Sequence, residues 1–406
     1  MVGGGPSGLM AAEVLATAGF RVAVYEHMPS VGRKLLLAGR SGLNLTHSEP
    51  LDDLLARYGK ATVVGAAVRA FPPAELRTWC AGLGQPTFVG SSGRVFPASF
   101  RATPLLRAWL LRLHDLGVLI HPRQRWLGWG TTPDGLIDPG HHRFQLGAES
   151  TIDVRSDITV FALGGASWPR VGSDGGWVTP FREAGLHVRT LRPANCGVCI
   201  AWTPRLADQF AGVPLKNVAL RVGSVSVRGD VTVTRDGIES GPVYTHSATI
   251  RDTIERDGRC TVTVDLHPDL TLPVVEQRLA HRRPKDSMAT ALRRALGLSP
   301  VAIALLREAT NNHLPTQAAE LAALVKGVPL MVHATMPIDR AISTAGGLAL
   351  DELDDQFMVR RLPGTFVAGE MLDWEAPTGG YLLQASFSTG VAAANGAISW
   401  LPQRSR

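Results

Sequence analysis

The sequence predicts an α/β chain: a Rossmann-like parallel sheet interrupted by an inserted β-barrel and helical block. Three observations predict it. Gly3-Gly4-Gly5-Pro6-Ser7-Gly8 opens an apolar, helix-compatible segment that ends near Gly19 and is followed by the β-rich residues 21–26. The buried apolar run at residues 157–163 leads straight into Gly164-Gly165, as strands of a parallel sheet do. Residues 196–265 instead alternate apolar and polar in short pieces, which marks antiparallel strands.

In the opening segment each glycine has a separate physical job. Gly3 permits a tight strand-to-helix turn, Gly5 lets the backbone approach a pyrophosphate, and Gly8 lets the helix pack closely on the sheet. The helix begins at Pro6 or Ser7, so its unpaired N-terminal amides face the phosphates of a dinucleotide. Glu26, at the tip of the next strand, can accept hydrogen bonds from an adenosine ribose. An ordinary glycine-rich loop before a helix would leave the spacing of Glu26 unexplained. Only Met1 and Val2 stand where the first strand should be, whereas a parallel strand usually runs to about five residues. The expectation is a start several residues upstream.

A chain of 406 residues is too long for one simple core. The composition shifts divide it into residues 1–190 and 330–406, two parts of a nucleotide-binding domain, around an insertion at 191–329. In that insertion, residues of about 191–266 read as the barrel and about 267–329 as helices. No apolar run approaches the roughly 18 residues of a membrane helix, and no basic-then-apolar leader is visible, so the expected location is cytoplasmic. Cys80, Cys196, Cys199 and Cys260 do not make a disulfide framework in so long a chain. The net charge of +6 is densest at His281-Arg282-Arg283-Pro284-Lys285, with Arg293-Arg294 following. No base-stacking aromatics are interleaved there, so a solvated helix connection is expected and nucleic acid is not the expected partner.

Residues 32–47 read as a long ordered loop. Arg33 and Lys34 are placed to approach phosphate or adenine, and Asn44, Thr46 and His47 offer hydrogen bonds to a heteroaromatic ring; a plain surface loop is the open alternative. Residues 51–80 are helical, 86–89 and 93–97 are short strands, and 102–116 is an amphipathic helix. Gly172-Ser173-Asp174-Gly175-Gly176 precedes another helix, with Ser173 or Asp174 as its cap. Residues 237–246 form a turn-rich segment in which Tyr244 and His246 have the chemistry of general acids, although a hairpin bend with a packed aromatic explains them equally well. Cys196 and Cys199 sit three apart on a strand and face opposite sides, which argues against a redox pair. No histidine or cysteine pair has metal-site spacing with a second pair to match.

Residues 364–390 read as strand, turn, glycine pair and helix. Glu370 or Asp373, after Gly369, reaches the carboxyl end of a parallel strand, where such sheets bind ligands, and either can accept hydrogen bonds from a ribityl chain. Beyond Gly379-Gly380 a helix starting at Tyr381 points its positive N-terminus forward, which favours a ring that becomes anionic on reduction.

The Gly3-to-Gly8 fingerprint, Gly32-Arg33-Lys34-Leu35-Leu36 leading to Asn44-Leu45-Thr46, Arg94-Val95-Phe96-Pro97, Leu163-Gly164-Gly165 with Gly172-Ser173-Asp174-Gly175, and Gly369-Glu370 through Gly379-Gly380 form one set. Together they resemble the BaiN/RdsA-like (YhiN-like) NAD(P)/FAD-dependent oxidoreductases over nearly the whole chain. The resemblance implies an FAD domain of the glutathione-reductase superfamily with a barrel and helical insertion. It also implies FAD as cofactor, NAD(P)H as a transient electron donor, and a small-molecule substrate with an electron-poor C=C or C=O. Many members carry Gly-Gly-Gly-Arg-Cys-Asn where this chain has Arg40-Ser41-Gly42-Leu43-Asn44, so it falls in a divergent branch and no role is carried over for that arginine or cysteine. No second Gly-x-Gly-x-x-Gly cradle is present for a nicotinamide nucleotide. An FAD-dependent monooxygenase and a flavin-dependent nucleic-acid protein are the alternatives.

Overall fold

The computed structural model describes residues 1–147, 150–283 and 285–404. The chain divides into two compact units, Met1–Arg192 with Ser343–Arg406, and Pro193–Ile342.

The first unit is built on a parallel sheet. Its strands Thr159–Phe161 and Thr365–Val367 are apolar or β-branched, buried at every position, and paired in parallel. Ala23–Glu26 pairs in parallel with Leu119–Pro122. Between these two halves stands Val2, bridged in parallel to both Phe161 and Tyr25. Val2 N donates to Val160 O and Gly3 N to Tyr25 O, both at 2.9 Å, and Ala162 N returns a bond to Val2 O at 2.8 Å. The central strand that looked truncated is represented here by Val2, which bonds to a neighbour on each edge.

The cradle helix Pro6–Thr17 follows, buried along most of its length. Its one carboxylate, Glu13, is satisfied inside: Trp109 Nε1 donates at 2.6 Å, Trp79 Nε1 at 3.0 Å and Arg112 Nη1 at 3.0 Å. Without such partners a buried charge would be costly. The segment expected to be a loop at 32–47 is instead the helix Arg33–Ala38 followed by the strand Thr46–His47. Arg-Lys-Leu-Leu-Leu-Ala is a run of good helix formers, and tertiary seating lets so short a helix persist. A three-stranded meander, Gln124–Thr131, Ile137–Leu146 and Ser150–Arg155, packs Trp126 and Trp129 edge-on against Phe161 of the sheet. The turn at residues 172–176 does not cap a helix. The helix Val178–Glu183 starts later, and Asp174 accepts from Gly176 N at 3.0 Å and Arg125 Nη2 at 2.8 Å.

The second unit contains a closed barrel with the strand order Val198–Ile200, Gly237–Glu239, Val225–Val233, Pro214–Val222, Cys260–Asp265 and Val328–Thr335. Every pairing in it is antiparallel. The last strand corrects the expected insertion boundary of 329. It comes after the helices Leu272–Ala280, Met288–Leu296, Pro300–Ala309 and Ala318–Lys326, and pairs with both the first and fifth strands, so the unit runs to Ile342. Two of these helices are capped by serines: Ser287 accepts from Thr290 N and Ser299 from Ala302 N.

Tyr244 and His246 do not lie in a turn but in the helix Gly241–Asp257, which Pro242 helps to start. His246 is buried, with Nε2 3.2 Å from Leu220 O of the barrel, and burial lowers its pKa. It serves as a neutral strut. Tyr244 is half-buried, and burial followed by the charge of Glu239 raises its pKa. All four cysteines are free thiols. Among the described residues no helix is long and apolar enough to cross a membrane, and no cluster of three or more His, Cys, Asp or Glu side chains could hold a metal. Pro284 of the basic run lies outside the described residues.

Candidate cofactor-binding site

Three glycines with three different surroundings define the cradle. A Cβ at Gly3, whose φ is 104°, would collide with the Ala162 carbonyl oxygen, and one at Gly8 would collide with the Gly3 carbonyl oxygen. A Cβ at Gly5 would meet no protein atom within 4 Å. The first and third glycines thus permit close packing, while the second leaves open space at the N-terminal amides of the cradle helix. That is what a diphosphate requires.

Glu26 stands beside this opening at the carboxyl end of its strand and is 9% exposed. Its Oε2 accepts Gly4 N–H at 2.9 Å and its Oε1 accepts Met28 N–H at 2.8 Å. Oε1 also faces His27 Nδ1 at 3.3 Å, while Oε2 keeps a further lone pair for a ribose hydroxyl. The adjoining cleft is lined by Gly3, Tyr25, His27, Arg125, Asp174 and Trp177. Burial works against the charged form of Asp174, but Arg125 and the Gly176 amide outweigh it and hold its pKa low. Burial lowers the pKa of His27 despite the neighbouring Glu26 carboxylate.

A second group of residues converges from four segments. Lys34 Nζ donates to Ser167 Oγ at 2.6 Å and to Glu370 Oε2 at 2.7 Å, partners 133 and 336 residues away in sequence. Glu370 Oε1 accepts Thr344 N–H at 3.0 Å. The sequence placed Lys34 toward phosphate or adenine, but in the structure it pairs with a carboxylate instead. A Cβ at Gly164, φ 72°, would sit 3.9 Å from Glu370 Oε2 and 3.3 Å from Ser173 Oγ, so this turn also belongs to the group. Asp373 does not join it: Arg189 Nε takes its Oδ2 at 2.7 Å, and burial raises its pKa despite that arginine. Of the two candidate carboxylates, only Glu370 meets the other site residues.

The two glycine elements meet directly. A Cβ at Gly369, φ 81°, would collide with Ser7 Oγ of the cradle helix. At the start of the C-terminal helix Tyr381–Arg404, a Cβ on Gly380 would lie 2.6 Å from the backbone of Thr46. Tyr381 itself is buried. His47, expected to serve a bound ring, uses both its nitrogens elsewhere: Nδ1 accepts Glu49 N–H at 3.2 Å and Nε2 lies 3.0 Å from Ser92 O.

Buried side-chain atoms without a hydrogen-bond partner include Arg33 Nε, Asn44 Oδ1, Thr46 Oγ1 and Ser173 Oγ, and, in the adjoining cleft, Gln124 Oε1 and Trp126 Nε1. Buried polar atoms rarely go unmatched, so this set fits a ligand rich in hydroxyl, phosphate and ring nitrogen groups. FAD is such a ligand. The sequence reading reached Arg33, Asn44 and Thr46 but took Ser173 only as a helix cap and missed Ser167, His27 and Arg125, which stand in no spacing that marks a nucleotide site.

Residues 1–396 match the family described as the HI0933-like protein Rossmann domain. The 3-dehydro-bile acid Δ(4,6)-reductase of Clostridium scindens is 25% identical over 413 residues, covering 98% of each chain. Among solved structures, the 3-ketosteroid Δ1-dehydrogenase of Sterolibacterium denitrificans superimposes with a TM-score of 0.56 at 13% identity, covering 98% of both chains. The 3-ketosteroid-Δ4-(5α)-dehydrogenase of Rhodococcus jostii RHA1 gives 0.50 at 15% identity, covering 98% of this chain and 95% of the other. At such identities the two structures establish a shared fold.

Proposed function

Because the chain belongs to the HI0933-like Rossmann-domain family and is an FAD-dependent oxidoreductase, we propose that it reduces an electron-poor C=C bond of a small molecule, conjugated to a carbonyl, with electrons from NAD(P)H. The open space at Gly5, framed by the packed Gly3 and Gly8 and by Glu26, carries the cofactor half of this reading. The substrate half rests on the Clostridium scindens reductase.

When bound, FAD supplies the two-electron hydride chemistry. The protein supplies binding and charge. Amides at the start of the cradle helix receive the diphosphate, and Glu26 receives the ribose hydroxyls. Lys34 pairs with Glu370 at 2.7 Å and so orients its carboxylate as an acceptor for the ribityl hydroxyls. Asn44 Oδ1 and Thr46 Oγ1, which lack partners, would help to hold the ring. The positive N-terminus of the C-terminal helix stabilises negative charge that develops there. With no second glycine cradle, the nicotinamide nucleotide is a visitor and not a resident.

The test is an absorption spectrum of the purified protein, then anaerobic titration with NADH and NADPH, then addition of 4-androstene-3,17-dione as a probe enone. Flavin bands, bleaching by one of the donors, and stoichiometric return of colour with the enone are expected. A colourless protein that takes up no FAD refutes the cofactor. A bleached flavin that the enone leaves bleached argues against the substrate class.

A further inference from the structure

The chain enters its C-terminal helix through Gly379 at φ 139° and Gly380 at φ 98°, conformations that L side chains rarely adopt. Two such residues in succession leave the direction of the first helical turn loosely set by the backbone. Side chains set it instead. Tyr58, 3% exposed, donates its hydroxyl to the Tyr381 carbonyl at 2.9 Å. The adjacent Arg57 lies over the Tyr381 ring, 5.8 Å from its centroid, and the His47 ring stacks with that ring at 5.5 Å.

This grip is itself anchored. Arg57 makes a two-point pair with Glu49, Nη2 to Oε2 at 2.7 Å and Nε to Oε1 at 3.3 Å. Burial, together with Glu49, pushes the pKa of Tyr381 up to about 12, so its ring stays neutral between Arg57 and His47. Because His47 Nδ1 accepts from the Glu49 amide, its proton sits on Nε2, facing Ser92 O. Each member thus fixes the next.

On its other side the same turn rests on Thr46, which is 0% exposed and whose hydroxyl has no partner. A buried, unmatched hydroxyl beside a helix start independently indicates a ligand at this place. Resting on the FAD reading above, we propose that Tyr58, Arg57 and Glu49 are positioning residues. By gripping Tyr381 they hold the first amides of the C-terminal helix against the redox-active ring and so set its preference for the reduced form. The ring gains negative charge on two-electron reduction, so amides held close favour reduced FAD over oxidised FAD. A turn free to drift loses part of that preference.

The experiment compares Tyr58→Phe, which removes the bond to the Tyr381 carbonyl, and Tyr381→Leu, which removes the ring that Arg57 and His47 contact; both leave every charge in place, so an altered ratio reports position rather than charge. Ser388→Ala is the control: two turns further along the same helix, Ser388 Oγ donates to Phe71 O at 2.8 Å. Dissociation constants for oxidised and reduced FAD and thermal melting are measured for each. In both tyrosine variants the constant for reduced FAD should rise about tenfold more than that for oxidised FAD, equivalent to a fall of about 30 mV in the two-electron potential. The control should melt lower with an unchanged ratio. An unchanged or opposite ratio in the tyrosine variants, whatever their melting, overturns the proposal. Should Tyr58→Phe fail to fold, Tyr381→Leu carries the test, since it retains the carbonyl bond and removes only the ring contacts. A wild-type protein that takes up no FAD is a different result and refutes the cofactor reading itself.

Discussion

Replacing Gly5 by alanine separates cofactor binding from folding at a single atom. The new Cβ meets no protein atom within 4 Å, and the backbone at φ −83°, ψ −177° is open to alanine. Alanine is a poorer N-cap than glycine but also restricts the unfolded chain, and the two effects oppose each other. Apo-protein stability should therefore stay within about 1 kcal/mol of wild type. The methyl group instead stands where the diphosphate must come against the helix amides. Losing one hydrogen bond to a charged group costs about 1.5–3 kcal/mol, so FAD should bind roughly ten- to 150-fold more weakly. Gly8→Ala should behave in the opposite way, because its Cβ collides with the Gly3 carbonyl. Overpacking of that kind costs about 1–3 kcal/mol before any cofactor is added. Urea unfolding of the apo-protein and fluorescence titration with FAD measure both quantities. If Gly5→Ala binds FAD as tightly as wild type, or destabilises the apo-protein more than Gly8→Ala does, the space at Gly5 is not a phosphate site.

Two further outcomes follow from charges inside the first unit. Lys34→Met leaves Glu370 without its cation; the pair's side chains are 26% and 16% exposed, so the loss should be about 1–3 kcal/mol, below the range for a fully buried pair. Adding Glu370→Gln should recover most of it in thermal melts, and a double variant no more stable than the single one would show that the two residues are not coupled. His142 is buried, its Nε2 lies 2.6 Å from Thr159 Oγ1, and burial takes its pKa from 6.5 down to about 4. As pH falls, the unfolded chain takes up this proton first. Stability is thus intact above about pH 6.5 and drains away toward pH 4, by about 3 kcal/mol in all. His142→Phe should flatten that acid slope in urea unfolding, and matching slopes would rule out this histidine as its source.

The parts of the site legible in the sequence are those whose physical demands are local. Gly3, Gly5 and Gly8 are set by what a strand-to-helix turn around a diphosphate allows, and Glu26 by the length of one helix and the next strand. The Lys34–Glu370 pair spans 336 residues, and nothing in the spacing of either residue announces the other. Residues 33–38 looked like loop because glycines punctuate the surrounding run and polar residues stand between apolar ones; a helix of only six residues is held there by its seat in the unit. Tyr244 and His246 looked like a reactive turn, yet they stand on a helix start marked by Pro242, and the barrel carbonyl of Leu220 occupies the histidine. The insertion looked complete before its last strand because barrel closure pairs Val328–Thr335 with a strand more than a hundred residues earlier. By itself the sequence determined the class of sheet, the dinucleotide cradle and the family, since backbone sterics and periodicity act between near neighbours. Only the tertiary structure decided which carboxylate joins Lys34, which buried hydroxyls are left without a partner, and how Tyr381 is held, because those arrangements exist only once distant segments are packed together.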